Sequence, residues 1–426
     1  MAAQQYLLVV NLLPTSVVEA VRSLRKNPQF ANLGIACISR TPTKHKTLNT
    51  GDVPLLVLPC KFETDTEIEQ ALQPVNGKLR GVVCRADKNV QYLRKATPFL
   101  PEDILHASVE SLDASTHKQL MRQAFRRHAP EITPEFVHVA DASLKSIEHV
   151  EATIDYPVIV KPVNLASSLL VQSCHSREAL RQALEATFAH IQSVYAHEDR
   201  AEAPRVIVEE YLEGDFYSID AYVSSAGQVW CCPPVRYIPA KQRGIDDFFI
   251  YKRYTSAILA AHEITRANET AAKAVASVGL TASSAHIELV RTANGWKVIE
   301  LGPRPGRFRD TLYGRAYNID HSLNDIKVRL GLEPEIPTKI QKYCCAYSIY
   351  PEHEGMLVRL RGLDEIAKWP EVSNIRVLAS PGQMCRFARN GGHALAECMI
   401  TASTQKEFEQ LMTKTERLIG ADIDEA

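Results

Sequence analysis

Short, nearly continuous apolar runs occupy residues 6–11, 34–39, 55–58 and 79–84. Between them, residues 17–25, 64–72 and 89–100 carry apolar positions three or four apart. Runs of the first kind predict buried strands, and spacing of the second kind predicts amphipathic helices. Their alternation implies a parallel sheet with helices on its faces, a Rossmann-like N-terminal unit. The glycine-rich dinucleotide fingerprint is missing, because residues 6–11 lead into Leu12-Leu13-Pro14-Thr15-Ser16. NAD binding is therefore not assigned there.

A helix is predicted from Asp113 to about His128, with Met121, Ala124, Phe125 and His128 as its apolar stripe. Lys118, Arg122 and Arg126 recur every four residues on another face, where a solvated surface is the ordinary reading. An α+β pattern follows. Strands are predicted at 156–162, 205–212, 216–224 and 228–232, with helices at 176–188 and 269–277, the latter ending near Gly279. From residue 336 a separate α/β unit is predicted, with strands near 343–350 and 375–378 and a last helix over 405–418. The domains read as 1–112, 113–335 and 336–426, an α/β and α+β multidomain protein.

One hairpin is the most informative local feature. Residues 285–291 and 296–301 are strand-like, and Asn294-Gly295 between them is a strong turn signal. A three-residue loop, with Gly295 left-handed, pairs Thr292 with Trp296 and so places Glu288 opposite Glu300. Their Cβ atoms would then lie about 5 Å apart, where like charges repel. A two- or four-residue loop would put them on opposite faces. Facing carboxylates suggest a bound hard cation such as Mg²⁺. Two solvated glutamates are the ordinary alternative.

Composition narrows the class. The chain has 426 residues, 45% of them hydrophobic, and a formal net charge of −1. Nothing in it resembles a nucleic-acid or membrane footprint. The ten cysteines form no C-x-x-C pair, which argues against structural zinc and a secreted disulfide framework. The N-terminus lacks the basic and apolar regions of a signal peptide, and no run reaches membrane-spanning length. A cytoplasmic, reducing compartment is the expectation.

Other residues could carry chemistry. Lys161 closes an apolar strand, where a lysine either reaches water or meets an anion. The turn after it has Ser167 and Ser168 but no glycine to let backbone amides approach a phosphate. Glu209-Glu210-Tyr211-Leu212 stands where a strand leaves a sheet and could read an adenine edge. Arg304, Arg307, Arg309 and Arg315 follow Glu300 in a loop stiffened by prolines. Guanidinium groups beside metal-binding carboxylates suit phosphoryl or carboxylate substrates.

Taken in order, V-I-V-K-P, V-I-V-E-E-Y-L-E-G, H-I-E-L-V and V-I-E-L-G-P-R-P-G resemble the ATP-grasp superfamily of carboxylate–amine ligases. The tail, with Tyr350-Pro351-Glu352-His353-Glu354-Gly355, Arg361-Gly362-Leu363-Asp364-Glu365 and Phe387-Ala388-Arg389-Asn390-Gly391-Gly392, looks like the L-amino acid ligase branch. The resemblance implies an ATP-grasp fold between a pre-ATP-grasp domain and a C-terminal lid-type domain. It implies that Lys161 and Arg122 contact ATP, that Glu209, Tyr211 and Leu212 line the adenine pocket, and that Glu288 and Glu300 hold Mg²⁺ or Mn²⁺. Arg304 would stabilise the transferred phosphoryl group. Tyr217 stands where a ribose-binding glutamate is usual, with Asp215 nearby as a substitute, and Gly302 replaces a metal-ligand asparagine.

The implied reaction joins a small-molecule carboxylate to an amine through an acyl phosphate, releasing ADP and phosphate. No nucleic acid or membrane partner is implied, and the assembly suggested is a homodimer. Two alternatives stay open. One is a nucleotide-binding or regulatory protein that no longer turns over, motivated by the glycine-free loop and Tyr217. The other is a formate- or bicarbonate-using ligase of purine metabolism.

Overall fold

The computed structural model describes residues 3–198, 203–255 and 259–425. Four parallel strands open the chain: β1 (Gln5–Val10), β2 (Leu33–Ser39), β3 (Leu55–Pro59) and β4 (Leu79–Val83), in the order β3-β2-β1-β4. The helices Thr15–Leu24 and Asp65–Leu72 lie between them and Asp87–Ala96 follows β4, as the apolar spacing predicts. The predicted helix from Asp113 to His128 is instead two helices, Val109–Thr116 and Lys118–His128. His117 lies between them in an extended conformation, its imidazole accepting from the Leu120 amide. This break ties Lys118 to the strand segment beyond, because its amide donates to the Val163 carbonyl. The boundary expected at 112/113 thus falls inside a helix.

A small sheet follows, built from β5 (Phe136–Val139), β6 (Val158–Pro162), β7 (Gln172–Cys174) and β8 (Val206–Glu210), in the order β5-β8-β6-β7. The helix Arg177–His197 covers it and runs further than the apolar spacing predicts. The large sheet contains β9 (Asp215–Val223), β10 (Val229–Cys231), β11 (Val235–Pro239), β12 (Ile250–Tyr254), β13 (Ser283–Thr292) and β14 (Gly295–Gly302). Strands β11 and β12 escaped sequence reading because Arg236, Lys252 and Arg253 interrupt their apolar runs.

The segment from residue 336 is not a separate unit. Its strands β15 (Tyr343–Ile349), β17 (Val372–Val377) and β19 (Ala396–Ala402) continue the large sheet, in the order β14-β13-β9-β11-β12-β15-β19-β17. Pairing of β15 with β12 removes what would be an exposed edge. Strands β16 (Gly355–Arg361), β18 (Met384–Cys385) and β20 (Gly420–Glu425) form a small sheet beside it. The last helix, Gln405–Leu418, matches its predicted span and opens on a capping box between Thr404 and Glu407.

One core runs from β1, β2 and β4 through Met121 and Phe125 to Ile219, Ile287 and Val298. The N-terminal sheet and the large sheet therefore share a single packed interior. Among the described residues no helix is long and apolar enough to cross a membrane. The cysteines are free thiols.

Candidate active site

Glu288 and Glu300 do stand directly opposite each other on one face of the β13–β14 hairpin. The route differs from expectation. Thr292 pairs with Gly295, so the loop is the two residues Ala293 and Asn294. That loop alone would have put the carboxylates on opposite faces. A β-bulge corrects the phase: Leu289 pairs with Val298 and Glu288 with Glu300, leaving Ile299 as the extra residue.

Arg122 holds this bulge. It donates to the carbonyl oxygens of Val298 at 2.9 Å and Ile299 at 2.6 Å. It also meets Glu209 through both carboxylate oxygens, at 2.9 and 3.0 Å. Lys161 Nζ lies 2.7 Å from Glu209 Oε2. The three charges sit at the inner end of the small sheet, all buried. Burial, with Arg122 and Lys118 nearby, brings the Lys161 ammonium down to about 8 despite the attraction of Glu209. Burial works against the Glu209 carboxylate, yet Arg122 and Lys161 outweigh it and hold its pKa near about 2.

Arg122 is 1% exposed and its bonds to the bulge position Glu300. The Glu209 carboxylate is bonded by both Arg122 and Lys161. The basic side chain that reaches the carboxylate pair is Lys118, one turn earlier. Its Nζ lies 3.2 Å from Glu300 Oε1 and donates to the Leu165 carbonyl at 2.7 Å.

Tyr217 faces the other way. Alternation along β9 turns it away from the carboxylates and into the core with Ile219. It meets Trp296 edge-on at 5.3 Å and carries Arg236 over its ring. Asp215 is occupied by Arg236 at 2.6 Å and Arg291 at 3.0 Å, so it is no ready substitute. Tyr211 and Leu212 remain half-buried where the chain leaves β8, and Lys241 stands 4.7 Å over the Tyr211 ring.

The arginines after Glu300 have four different fates. Arg304 pairs with Asp87, its Nε 2.6 Å from Oδ1, and Asp87 comes from the N-terminal domain. Burial disfavours the Arg304 charge, but Asp87, Asp220 and Glu288 raise its pKa. Arg307 is half exposed and reaches Glu397 on β19. Arg309 is fully buried, bonded to Asp220, Ser218 and Tyr237. Arg315 bonds Ser373 and Thr401.

Sequence reading missed the group behind Glu288. Asp220 is buried and accepts from the Gly306 amide at 2.6 Å, Arg309 at 3.1 Å, His286 at 2.7 Å and His321 at 3.0 Å. His286 Nε2 lies 3.5 Å from Glu288 Oε1. Burial opposes its charge, but Tyr237, Asp220 and Glu288 raise its pKa to about 10. Burial also opposes the Glu288 charge, and His286 and Arg304 overcome it, keeping the carboxyl below its usual range. The signal was present in the sequence: Ser218 and Asp220 alternate with apolar neighbours along one strand face.

The glycine-free turn after Lys161 is closed by left-handed residues. Ser167, Ser168 and Leu170 each have φ +58°. The Leu170 amide donates to the Arg389 carbonyl at 3.0 Å, so the C-terminal segment holds this turn in place.

The carboxylate pair fits a hard divalent cation. Both side chains are partly open, and Lys118 and His286 engage one oxygen of each. Among the described residues no third His, Cys, Asp or Glu joins them. This suits Mg²⁺ or Mn²⁺, which take one or two carboxylates and complete their shell with phosphates and water.

Comparison with known proteins agrees with this geometry. Residues 154–311 match the ATP-grasp domain family, and residues 348–423 match the L-amino acid ligase C-terminal domain 2. The chain thus carries an ATP-grasp domain and, after it, an L-amino acid ligase C-terminal domain. The L-amino acid ligase of Bacillus licheniformis shares this chain's fold, with a TM-score of 0.75 at 17% identity over 100% of both chains. An uncharacterized protein of Sinorhizobium fredii, y4rH, is 23% identical over 67% of this chain and 56% of its own length. A D-alanine–D-alanine ligase of Bacillus pumilus is 31% identical over 28% of this chain and 29% of its own. The chain thus spans about half or less of the length of these curated relatives.

Proposed function

We propose that the protein is an ATP-dependent carboxylate–amine ligase that forms an amide through an acyl phosphate. The observation that carries this reading is the facing pair Glu288 and Glu300, flanked by Lys118 and Arg304, with Lys161 on Glu209 close to Lys118. That set has two anionic metal ligands and three cations for phosphate. It has no nucleophile–base pair of its own, and this reaction needs none.

In the first step a substrate carboxylate oxygen bonds to the γ-phosphorus of ATP, and the bond to the β-bridging oxygen breaks to release ADP. Lys118 and Lys161 would offset phosphate charge, and Arg304, held by Asp87, would donate to the transferred group. Such fixed donors act where charge develops, which is how phosphoryl transfer is catalysed. A divalent ion held by Glu288 and Glu300 would supply Lewis-acid neutralisation of the phosphates. In the second step an amine nitrogen bonds to the acyl carbon, phosphate leaves, and the amine proton passes to phosphate or water.

A screen for phosphate and ADP release against pairs of amino acids and small acids and amines, with products identified by mass, tests the reading. Release of AMP and pyrophosphate would falsify it. The left-handed, glycine-free turn at Ser167, Ser168 and Leu170 favours a second reading, a nucleotide binder without turnover. Tight ATP binding with no phosphate release under any pairing would support that one. A product carrying formate or bicarbonate carbon would place the chain with purine-pathway ligases.

A further inference from the structure

One buried acid on the face of the large sheet is not used by the proposed chemistry. Glu397 on β19 and Ser348 on β15 are directly opposite in register. Glu397 is 2% exposed and Ser348 fully buried. Alternation puts both on the face that carries Cys344, Ala346 and Met399, which pack with Tyr237. Glu397 Oε1 accepts from Arg307. Glu397 Oε2 and Ser348 Oγ have no hydrogen-bond partner.

Buried polar atoms are rarely left so, and two adjacent ones call for a shared complement. Residues paired this way have Cβ atoms about 5 Å apart, yet the hydroxyl and the carboxylate oxygen do not bond each other. A group satisfying both must donate in two directions, and beside a half-paired carboxylate it should be cationic. A primary ammonium has three N–H donors and one charge. Arg307, which covers this acid, is 56% exposed in its side chain and engages only one carboxylate oxygen.

We infer that Glu397 and Ser348 form a subsite for a distal primary ammonium group, so that one substrate is a basic amino acid or a diamine. This rests on the ligase reading for the word substrate. The ammonium is a spectator, because an amine paired with a carboxylate stays protonated and cannot attack an acyl carbon. Its substrate must therefore carry a second group that reacts, as a basic amino acid or a diamine does.

Matched probes test this by calorimetry on the full chain with Mg²⁺ and the β,γ-imido analogue of ATP. The pairs are L-lysine with L-norleucine and 1,5-diaminopentane with pentylamine, each differing by one ammonium. In the wild type the ammonium-bearing member of at least one pair should bind about 10- to 100-fold tighter. Glu397→Gln should erase that preference and leave the other member's affinity unchanged. Ser348→Ala, a milder change, should reduce it severalfold, and thermal melts establish that both variants fold. The inference is overturned if no pair shows a preference, as a trapped water would predict, or if Glu397→Gln weakens both members equally. Preference without phosphate release sinks the ligase reading and leaves the subsite standing. Phosphate release that ignores the distal ammonium does the reverse.

Discussion

Arg122 donates to the carbonyl oxygen of Ile299 at 2.6 Å, and Ile299 is the bulged residue that sets Glu300 opposite Glu288. The same guanidinium neutralises buried Glu209. Replacing Arg122 with Met leaves Glu209 with Lys161 alone and frees the bulge. Removal of one partner of a buried pair typically costs about 3–5 kcal/mol. Urea unfolding should register that loss, and a change below about 1 kcal/mol would remove Arg122 from this role.

Lys161 should make ATP binding depend on pH. Its folded pKa of about 8 is below the ordinary 10.5. The charge is therefore present in the folded protein below about pH 8 and lost as pH rises through that value. Between 8 and 10.5 the unfolded chain binds more protons at this residue than the folded one, so its contribution to stability improves with rising pH. ATP affinity should move the other way, falling above about pH 8. In Lys161→Met the affinity should be weak throughout and flat across this range. A wild-type affinity that does not fall above pH 8 would show that the Lys161 charge does not serve ATP.

Acid should loosen the contact between the small sheet and the helix Lys118–His128. Glu209 has a folded pKa near about 2 against an ordinary 4.5. Its contribution is whole above the ordinary value and disappears as pH falls through the folded one. Glu209→Gln should lower stability at pH 7 and flatten its decline between pH 4.5 and 2. Parallel acid-unfolding profiles for the variant and the wild type would contradict this.

Arg304→Ala should depress turnover more than nucleotide affinity, because its contact strengthens as charge develops. A loss of about 10²–10³ in kcat is expected for a donor of that kind. Asp87→Asn keeps the shape but loosens the guanidinium, and a small misplacement can cost up to about 10²-fold. Equal kcat in wild type and Arg304→Ala would exclude Arg304 from the chemistry.

Tyr217 should matter for folding and not for ATP. Tyr217→Phe keeps the contact with Trp296 and should leave the affinities for ATP and its 2′-deoxy analogue within about twofold of wild type. Tyr217→Ala opens a core cavity and should cost about 3–5 kcal/mol. A large selective loss with the deoxy analogue in Tyr217→Phe would return this residue to a ribose site.

The sequence determined the local elements and the chemistry they offer. Apolar spacing placed β1 to β4 and the last helix, because a buried strand or helix face must be apolar wherever it packs. The paired glutamates, Lys161 and Arg304 were legible because charge at a strand end is unusual. Tertiary structure decided which charges are free. Arg122 and Lys118 share one helix face in the sequence, yet one is an internal clamp and the other meets Glu300. Arg304 and Arg309 are five residues apart, yet their acids, Asp87 and Asp220, come from distant parts of the chain. Partners so far apart along the chain leave no periodic trace. The hairpin shows the limit most clearly: a two-residue loop and a bulge give the same facing pair as the three-residue loop expected. Only the packing of Arg122 against the Ile299 carbonyl distinguishes them, and that contact spans 177 positions in the chain.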